Sequence, residues 1–404
     1  MISVAEALER ILAAFEPLPA ETVGLAEGLG RVLAEDVVAR VTQPPRAVSA
    51  MDGYAVRAAD VASAPVELRQ IGEVPAGSAY DGEVGAGETV RIFTGAPLPA
   101  GCDAIVIQEN TESAGDRVMV NESVAEGTFV RAAGLDFKLG DVGIPAGRRV
   151  TARDVGLAAA MNAPWLRVRR RPRVAILATG DEVVMPGEPV GPNQIVSSNG
   201  LSLSALVTAC GGEAINLGIA GDNEASLATL SAGARGADLL VTTGGASVGK
   251  HDLVQQVLER HGLALDFWKI AMRPGKPLMF GHIGDTPMIG LPGNPVSTLV
   301  CGVLFVRPVI DAMLGRQQAE APPETAVLGT ALGENDRRQD YLRARIDYDA
   351  AGRRRVQPFN RQDSSMLGAL AHADCLIVRA PHAPPLAAGE TVEIIPLGGG
   401  AFSI

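Results

Sequence analysis

A glycine-rich segment, residues 242–250, carries the residue types in this chain that most clearly suggest chemistry. It reads TTGGASVGK and follows an apolar run, DLLV, that predicts a buried strand. Glycines let backbone N–H groups approach a phosphate, and a helix predicted from Asp252 would add partial positive charge at its N-terminus. His251 stands where a P-loop needs Ser or Thr. The segment therefore predicts a phosphate-binding loop of another kind, with a ligand-free strand-to-helix turn as the alternative.

Three carboxylates follow the ends of neighbouring predicted strands. Glu182 follows RVAILATG, Asp222 follows INLGIAG, and Asp252 lies just beyond the glycine-rich segment. Open α/β sheets bind ligands beyond the carboxyl ends of their strands, and crowded carboxylates repel unless they are protonated or bridged by a cation. Hard oxygen ligands beside a phosphate site favour Mg²⁺. The alternative is three independent helix N-caps, a position that Asp often occupies.

A cationic segment and a second predicted helix start come next along the chain. Lys269, Arg273 and Lys276 lie within WKIAMRPGKP, where Pro and Gly fix a turn. Fixed cations beside a phosphate loop would hold oxyanions, unless the segment is a solvated loop. In LPGNPVS, Asn294 is predicted to be the N-cap and Pro295 the first residue of an apolar helix. That helix end is a second candidate anion site.

The elements that must position these residues form an α/β domain. From residue 173 to residue 315, predicted strands alternate with helices over residues 200–210, 224–233 and 252–261. This alternation is typical of a doubly wound parallel sheet, in which the strand ends meet at one edge. The glycine-rich segment and the three carboxylates are therefore expected to lie close together.

The segments on either side of this domain have other patterns. Residues 47–139 contain short β-prone runs separated by Gly, Pro and Asp, which predicts an inserted all-β module, and residues 316–404 predict a C-terminal β domain. Residues 1–46 and 140–172 are assigned to an N-terminal helical domain that either links the other domains or forms the dimer contact. Its first helix has an apolar stripe that favours core packing and also suits packing on a second subunit: Val4, Leu8, Ile11, Leu12 and Phe15.

Composition and charge narrow the class of protein. The chain has 404 residues and a formal net charge of -11, which argues against broad nucleic-acid binding. The four cysteines form no C-x-x-C pair, so neither a zinc site nor a disulfide framework is expected. The longest apolar run, residues 296–306, is too short to span a bilayer, and no signal-peptide pattern is present. We expect a cytoplasmic protein that binds neither nucleic acid nor a membrane.

Seven motifs, in order along the chain, resemble one known family. They are MDGYA (residues 51–55), FTGAPLPAGCDAIVIQE (residues 93–109), TGDE (residues 179–182), SNG (residues 198–200), TTGGASVGKHD, MRPGKP and GLPGNPVS. The family is that of the molybdopterin molybdenumtransferases of the bacterial MoeA type, which is related to the E domains of gephyrin and of a plant enzyme.

The resemblance implies a fold, an assembly and a reaction. The fold is multidomain, α/β plus β, with a molybdopterin-binding α/β domain, and the assembly is a homodimer whose active site is shared between subunits. In the reaction, molybdate is inserted into adenylylated molybdopterin, and AMP leaves in an Mg²⁺-dependent step as molybdenum cofactor forms. A transient contact with the molybdopterin adenylyltransferase that supplies the substrate is a further expectation. The motifs do not distinguish molybdate from tungstate.

The resemblance also places functional residues at matching positions of this chain. The catalytic set is Asp52, Asp136, Glu182, Asp222, Asp252, Lys269, Arg273 and Lys276, and the expected metal ligands are Glu182, Asp222 and Asp252. The substrate-binding set is Thr179, Gly180, Asp181, Ser198, Asn199, Thr243, Gly244, Gly245, Ser247, Gly249, Pro292, Gly293, Asn294, Pro295, Arg343 and Ser364.

Three positions depart from the family's pattern. Arg273 stands where some members have Lys, which keeps the charge and changes the donor geometry. Leu135 replaces the Glu that is common before Asp136. Residues 363–366 lack the His that some members carry after the first Ser, so the assignments in the C-terminal domain rest on weaker similarity.

Two other functions stand as alternatives. One is a scaffold whose cleft binds a partner peptide, as the gephyrin relatives do, and an exposed apolar patch would be its mark. The other is an adenylyltransferase like the isolated α/β domain. The complete acidic and cationic sets favour catalysis over the scaffold. The domains on both sides of the α/β domain argue against the isolated adenylyltransferase.

Overall fold

The computed structural model describes residues 1–75, 77–244, 262–316, 323–349 and 351–398, and these residues form three six-stranded sheets with smaller strand pairs. The first helix, Val4–Leu12, begins at the N-cap Ser3, whose Oγ accepts a hydrogen bond from the Glu6 N–H at 3.1 Å. Its buried face packs in the core of the α/β domain, beside the helix Pro295–Met313. The apolar stripe therefore packs within the same chain, as its spacing favoured.

The two N-terminal segments, residues 1–46 and 140–172, meet in a unit that contains strands as well as helices. Two antiparallel strand pairs join them: Ala20–Gly24 with Trp165–Arg169, and Val37–Val38 with Val142–Ile144. The helix Ala152–Ala160 begins with a capping box between Thr151 and Asp154. The expectation of a helical domain was incomplete, because strands of two to five residues have too few alternating positions to be recognised.

The β module is built on a six-stranded sheet with mainly antiparallel pairing. In sheet order its strands are Ala104–Ile107, Gly53–Val56, Glu88–Ile92, Val66–Val74, Arg117–Val120 and Thr111–Ala114. A separate pair, Val48–Ser49 with Val130–Arg131, ties the entry of the module to its exit. Short 3₁₀ turns occur at Leu25–Glu27, Ala58–Val61 and Gln108–Asn110. The β-prone runs of the sequence therefore form the expected all-β module.

The α/β domain contains the central sheet, whose strands we number in chain order. They are β1 (Arg173–Thr179), β2 (Glu213–Ala220), β3 (Leu239–Thr243), β4 (Leu263–Trp268), β5 (Met279–Ile283) and β6 (Thr286–Leu291). The sheet order is β2-β1-β3-β6-β5-β4. The helices Asn199–Ala209 and Glu224–Ala232 follow β1 and β2, close to the predicted bounds. A short parallel pair, Val183–Val184 with Ile195–Val196, lies between β1 and the first of these helices.

The central sheet is mixed, so the expectation of a parallel sheet holds for only part of it. Strands β2, β1, β3 and β6 are parallel, whereas β5 and β4 are antiparallel to their neighbours. Only Gly284 and Asp285 separate β5 from β6, and Gly284 has a φ of 57°. Strands joined by two residues pair antiparallel, because a parallel crossover needs a dozen residues or more.

One long helical stretch, Pro295–Met313, passes through the core of the α/β domain. It comprises Pro295–Cys301, a π-helical turn at Gly302–Val306, and Arg307–Met313. With 19 residues and a mean hydropathy of 1.7 it is long and apolar enough to cross a membrane, but 67% of it is buried within the protein. The apolar residues of this helix therefore serve the core.

The C-terminal domain is a ring of five strands with a sixth strand attached from the α/β domain. Its strands are Thr325–Leu328, Gln339–Tyr348, Arg354–Pro358, Cys375–Arg379 and Thr391–Pro396, and the short helix Leu367–Ala371 lies between them. Each strand pairs with two others, so the ring closes into a small barrel. The attached strand, Met272–Arg273, pairs parallel with Gln339–Tyr348 and links the two domains.

Candidate active site

The crevice between β1 and β3 lies where the strand order of the central sheet reverses. β2 pairs with one edge of β1 and β3 with the other, so the two chain connections leave in opposite directions. Ligands of open α/β sheets bind at such points, beyond the carboxyl ends of the strands. β1 ends at Thr179 and β3 at Thr243, and a glycine follows each of them. The structure thus brings the predicted residues of both strand ends together.

Gly244 sits where no other residue fits. Its φ is 94°, and a Cβ at this position would lie 2.5 Å from the carbonyl oxygen of Thr179. On its other side, a Cβ on Gly293 would lie 3.4 Å from the Cα of Gly244. Glycine therefore lets the backbones of β1, β3 and the LPGNP turn approach one another. Gly245, Ser247, Gly249 and Asp252, which complete the predicted phosphate loop and metal site, lie outside the described residues.

An acidic group lies at the ends of β1 and β2. The Asp181 Oδ1 accepts a hydrogen bond from the Asp222 N–H at 2.8 Å, and Glu182 is next to Asp181 in the chain. Partial desolvation, then repulsion from Asp181 and from Glu182, raises the pKa of the Asp222 carboxyl. Within the described ranges, no three His, Cys, Asp or Glu side chains are arranged to hold a metal ion. The crevice therefore carries crowded hard oxygen donors whose repulsion a cation would relieve.

Asn199 connects the first helix of the α/β domain to the crevice. Its Nδ2 donates hydrogen bonds to the Thr243 Oγ1 at 2.9 Å and to the Gly293 carbonyl oxygen at 2.7 Å. The Thr298 Oγ1 lies 3.3 Å from the Thr243 Oγ1 and donates to the Pro292 carbonyl oxygen at 2.6 Å. These contacts fix the start of the Asn199–Ala209 helix against β3 and the LPGNP turn, and Ser198 is the N-cap of that helix.

Two polar atoms in this network are buried without a hydrogen-bond partner among the described residues. They are the Oγ1 of Thr179 and the Oδ1 of Asn199. A buried polar atom without a partner is destabilising by about 1–3 kcal/mol, so native proteins rarely retain one unless a ligand or water completes it. Both residues belong to the predicted substrate-binding set. A bound molecule could supply the hydrogen-bond partner that each atom lacks.

The LPGNP turn joins the α/β domain to the C-terminal domain. Asn294 is the N-cap of the helix and Pro295 its first residue, as predicted. The Asn294 side chain makes no capping hydrogen bond to its own helix, and its Nδ2 donates to the Ser364 Oγ at 2.8 Å. The Ser364 carbonyl oxygen accepts the free N–H of Val296 at 3.1 Å. The C-terminal domain therefore supplies the partners at this helix start.

Arg343 is a buried cation beside the same segment of the C-terminal domain. Its side chain is 1% exposed, its Nε donates to the Gln362 Oε1 at 3.1 Å, and its Nη1 donates to the Asp363 carbonyl oxygen at 2.7 Å. No carboxylate forms an ion pair with it within the described part of the chain. Burial lowers the pKa of its guanidinium. The site thus holds a buried positive charge that forms no ion pair among the described residues, although the Asp363 carboxylate attracts it without direct contact.

Arg273 is held by two carboxylates of the C-terminal domain. It forms ion pairs with Asp340, which is buried, and with Asp336 at 3.3 Å. The backbones also pair, since Met272 and Arg273 lie opposite Gln339 and Asp340. Burial raises the pKa of Asp340, and the hydrogen bond from Arg273 opposes this shift. Arg273 therefore forms ion pairs that link the α/β domain to the C-terminal domain. Its sequence motif did not indicate this role.

The two lysines of the cationic segment have different surroundings. The Lys269 Nζ lies over the Trp268 ring, 3.6 Å from its centroid, and Lys269 itself has a φ of 73°. Lys276 lies in the turn that follows, where its carbonyl oxygen accepts the Ile270 N–H at 3.0 Å. Neither lysine forms an ion pair with another residue that the structure describes. Among the described residues, neither ammonium group is therefore neutralised by a carboxylate.

Asp52 and Asp136 belong to the β module and not to the α/β domain that forms this crevice. The Asp52 Oδ1 accepts hydrogen bonds from the Thr94 N–H and Oγ1, both at 2.7 Å, and these bonds together with Arg91 lower the pKa of Asp52. Asp136 is exposed, and its N–H donates to the Gln43 carbonyl oxygen at 3.0 Å. Among the described residues, no hydrogen bond or strand pairing joins the module to the α/β domain. One chain therefore presents two separate sets of predicted residues.

Comparison with known proteins decides the family. The chain matches the MoeA N-terminal region (domain I and II) over residues 2–162, a probable molybdopterin binding domain over residues 175–312, and the MoeA C-terminal region (domain IV) over residues 325–397. A molybdopterin molybdenumtransferase from Haemophilus influenzae is 35% identical over 94% of this chain and 95% of its own length. One from a Nostoc species is 39% identical over 80% of this chain and 76% of its own. The chain belongs to the molybdopterin molybdenumtransferase family.

Solved structures agree with this membership. Two structures of a molybdopterin biosynthesis MoeA protein from Pyrococcus horikoshii have TM-scores of 0.85 and 0.84 and are 32% and 29% identical. They cover 99% and 98% of this chain, which covers 100% and 99% of theirs. The multidomain fold expected for a molybdopterin molybdenumtransferase is thereby confirmed, with a mixed central sheet. The chain is an enzyme of molybdenum cofactor biosynthesis.

Three contacts of this molybdenumtransferase were not found from the sequence. Thr94 holds Asp52, Gln362 holds Arg343, and Thr298 joins Thr243 to the LPGNP turn. Thr94 stands within the motif FTGAP, and Thr298 follows GLPGNPVS directly, so both positions carried a weak signal. Gln362 carried none, because it belongs to no motif and meets Arg343 only through the folding of the barrel.

Proposed function

We propose that the chain inserts molybdate into adenylylated molybdopterin, with Mg²⁺-dependent release of AMP, to give molybdenum cofactor. The observation that carries this proposal is the buried Arg343 guanidinium, which forms no ion pair among the described residues and is attracted only by the more distant Asp363 carboxylate. A buried cation is costly unless an anion compensates it. Molybdate is a dianion, and Arg343 offers it bidentate donors next to Ser364 and the start of the Pro295–Cys301 helix.

The crevice between β1 and β3 would hold the pterin phosphate and the adenylyl group. The Thr179 hydroxyl can donate a hydrogen bond to a ligand oxygen, and the Asn199 Oδ1 can accept one from a ligand N–H. Gly180 and Gly244 adopt positive φ angles at the two strand ends, which lets the backbone turn tightly around the crevice. Together these groups supply orientation, while the LPGNP turn closes one side of the crevice.

The place proposed for a divalent cation is the acidic group. Glu182 and Asp222 would bind Mg²⁺, with Asp181 beside them, and Asp252 would complete the set from outside the described residues. When bound, Mg²⁺ polarises the phosphoanhydride bond and neutralises charge that develops on the leaving phosphate. Partial desolvation and then repulsion between the carboxylates raise the pKa of Asp222, and a cation in this position would oppose that shift.

Lys269 and Lys276, together with Arg343, would attract molybdate and balance charge in the transition state. Arg273 has a different place in this proposal. Its charge is largely compensated by the ion pairs with Asp340 and Asp336. We therefore propose that Arg273 orients the cationic segment against the C-terminal domain. A guanidinium suits this role better than the ammonium of Lys, because it can bind two carboxylates at once.

The assembly proposed for this reaction is a homodimer in the cytoplasm. The β module makes no hydrogen bond to the α/β domain of its own chain among the described residues, which leaves Asp52 and Asp136 free to serve a partner's crevice. A transient contact with the adenylyltransferase would transfer the adenylylated molybdopterin directly to this chain, without release into solution.

One assay tests the reaction. The full chain is incubated with adenylylated molybdopterin, molybdate and Mg²⁺, and AMP release and cofactor formation are followed. Arg343→Lys keeps the charge but loses the bidentate geometry, so we expect it to need at least about tenfold more molybdate. Arg345→Ala, an exposed neighbour on the same strand, is the matched control and should behave like the wild type.

The other outcomes of this assay identify the alternatives. Formation of adenylylated molybdopterin from ATP, without molybdate insertion, would mean an adenylyltransferase. The absence of any turnover by folded protein would favour the peptide-binding scaffold.

A further inference from the structure

We propose that Trp268 is a positioning residue, whose indole ring holds the Lys269 ammonium at the carboxyl edge of the central sheet. The inference rests on the proposed function, in which Lys269 attracts molybdate. The Lys269 Nζ lies 3.6 Å from the centroid of the Trp268 ring. A cation within about 6 Å of a ring centroid is attracted by the negative face of the ring, and indole gives the strongest attraction.

The backbone at Lys269 makes this contact possible. Successive side chains along a strand point to opposite faces of the sheet, so residues 268 and 269 would not meet in a regular strand. Lys269 instead has a φ of 73°, in the left-handed region that residues other than glycine seldom adopt. Its N–H donates to the Leu278 carbonyl oxygen at 3.0 Å, which fixes the turn. The turn thus lets the ammonium lie over the preceding ring.

Trp268 ends a strand at the edge of the sheet where ligands bind. β4 is antiparallel to β5, and β5 to β6, so β4 runs in the direction of the parallel strands. Trp268 is the last residue of β4, and its row of paired residues reaches Thr242, one residue before the end of β3. Lys269 therefore follows the carboxyl end of β4 as Gly244 follows that of β3, three strands or about 14 Å away at the usual strand spacing. A pterin and a nucleotide joined by a pyrophosphate are long enough to span this distance.

The polar edge of the indole does not explain why a tryptophan stands at this position. The Trp268 Nε1 is buried without a hydrogen-bond partner among the described residues, which is unfavourable. A phenylalanine would avoid that loss. The face of the ring contacts an ammonium that has no carboxylate partner within the described part of the chain. The contact through the face therefore accounts for the residue type.

Fluorescence of the full-length protein tests the contact without any turnover. The chain has two tryptophans, Trp165 and Trp268, so a Trp165→Phe protein emits from Trp268 alone. In that protein Lys269→Met removes the charge and nearly keeps the side-chain length, and we expect it to shift the emission maximum. Lys276→Met, in the same turn, is the matched control and should not shift it. An emission maximum that Lys269→Met leaves unchanged, or that both changes shift equally, overturns the proposal.

A double-mutant cycle tests the positioning role. Trp268→Leu should lower kcat/KM for molybdate about fivefold, whereas Trp268→Phe keeps a ring face and should lower it less than about twofold. In a Lys269→Met background Trp268→Leu should have no further effect, because the ring then has no cation to hold. An equal loss in both backgrounds would mean that Trp268 only packs against its neighbours, and the proposal would fail.

The two measurements separate this inference from the proposed function. If the wild type inserts no molybdate although Lys269→Met shifts the emission, the proposed function fails while Trp268 still holds the ammonium. If the wild type turns over and the emission does not shift, the positioning role alone fails.

A variant that keeps the shape of the ring covers the case in which Trp268→Leu does not fold. Incorporation of 5-fluorotryptophan into the Trp165→Phe protein weakens the negative face of the Trp268 ring at nearly unchanged shape. We expect kcat/KM for molybdate to fall in this protein. The double variant Trp165→Phe, Trp268→Phe, grown in the same way, is the control and should not respond to the label. An unchanged kcat/KM in the labelled protein would overturn the positioning role.

Discussion

At the scale of single residues, the charge of Asp181 adds to partial desolvation in raising the pKa of Asp222. Asp181 accepts the Asp222 N–H at 2.8 Å, and its charge is one of the causes that raise the pKa of Asp222. Asp181→Asn keeps an oxygen that can accept this hydrogen bond but removes the charge. We therefore expect the pKa of Asp222 to fall in this variant. Carboxyl carbon NMR titration without Mg²⁺ measures it, with Asp285→Asn, in the β5–β6 turn, as the control.

The sign of the stability change follows from the direction of this shift. Since folding raises the pKa of Asp222 above its ordinary value of 3.8, the folded state binds its proton more tightly. The contribution of Asp222 to stability is then greatest below that value and is lost as the pH rises through the raised pKa. Asp181→Asn should reduce this loss. An unchanged pKa in Asp181→Asn would show that repulsion from Asp181 does not govern the acidic group.

Gly244 gives a second prediction, and the chain provides a matched control for it. Gly244 and Gly187 both have a φ of 94°, but a Cβ on Gly187 meets nothing within 4 Å, whereas one on Gly244 lies 2.5 Å from the Thr179 carbonyl oxygen. Both alanine variants incur a strain of about 1 kcal/mol. Only Gly244→Ala must also separate β1 from β3, so we expect a larger loss of stability and a loss of turnover.

Thermal unfolding and AMP release, measured on both glycine variants, distinguish these effects. Equal destabilisation of the two variants, with turnover intact in both, would contradict the close approach at Gly244.

The sequence predicted residue types at the site better than their contacts. Asn294 as N-cap and Pro295 as first residue follow from local spacing and are confirmed. The hydrogen bond from Asn294 to Ser364 spans 70 positions of the chain, and no local pattern encodes such a contact. Arg273 shows the same limit, since its motif indicated a free cation and only the barrel supplies Asp340 and Asp336.

At the scale of elements, the parallel half of the central sheet was predictable and the antiparallel half was not. β1, β2 and β3 are continuous apolar runs that alternate with helices, and their observed bounds agree closely with those expected. β4, β5 and β6 are only five to six residues long, and β5 and β6 contain Gly, Pro and Met, so their pattern does not separate them from loops. Their pairing is decided by the two-residue turn between β5 and β6.

The joint between the α/β domain and the barrel gives a prediction at this scale. Asp340, with a side chain 4% exposed, pairs with Arg273, which is 46% exposed. Asp340→Asn breaks this pair and leaves Asp336 as the remaining partner, so we expect a loss of about 1–2 kcal/mol in the free energy of unfolding. Asp347→Asn, on the same strand, breaks an exposed pair with Arg355 that solvent screens, so its loss of stability should be smaller than that of Asp340→Asn.

Urea unfolding of the two aspartate variants gives the comparison. If Asp340→Asn unfolds at the same urea concentration as Asp347→Asn, the Arg273 pair does not stabilise the joint. Reduced turnover in Asp340→Asn at unchanged stability would instead point to a direct role of Arg273 in catalysis.

At the scale of the whole molecule, the predicted catalytic residues fall on two surfaces of one chain. Glu182, Asp222 and the LPGNP turn surround the crevice of the central sheet, while Asp52 and Asp136 belong to the β module. The composition of the chain could not show this division. It depends on how the module, which interrupts the N-terminal unit, is carried away from the sheet. A homodimer would bring the two surfaces together if each module served the partner's crevice.

Mixing two inactive variants tests this shared site. In a dimer of Asp52→Asn and Asp222→Asn chains, one site combines an intact crevice with an intact module and the other carries both changes. Random exchange makes half of the dimers mixed, so we expect about a quarter of the wild-type activity. Asp52→Asn mixed with Asp136→Asn is the control, because both changes lie on the module and every site stays defective. If both mixtures remain inactive although the variants are folded and dimeric, each crevice must work with the module of its own chain.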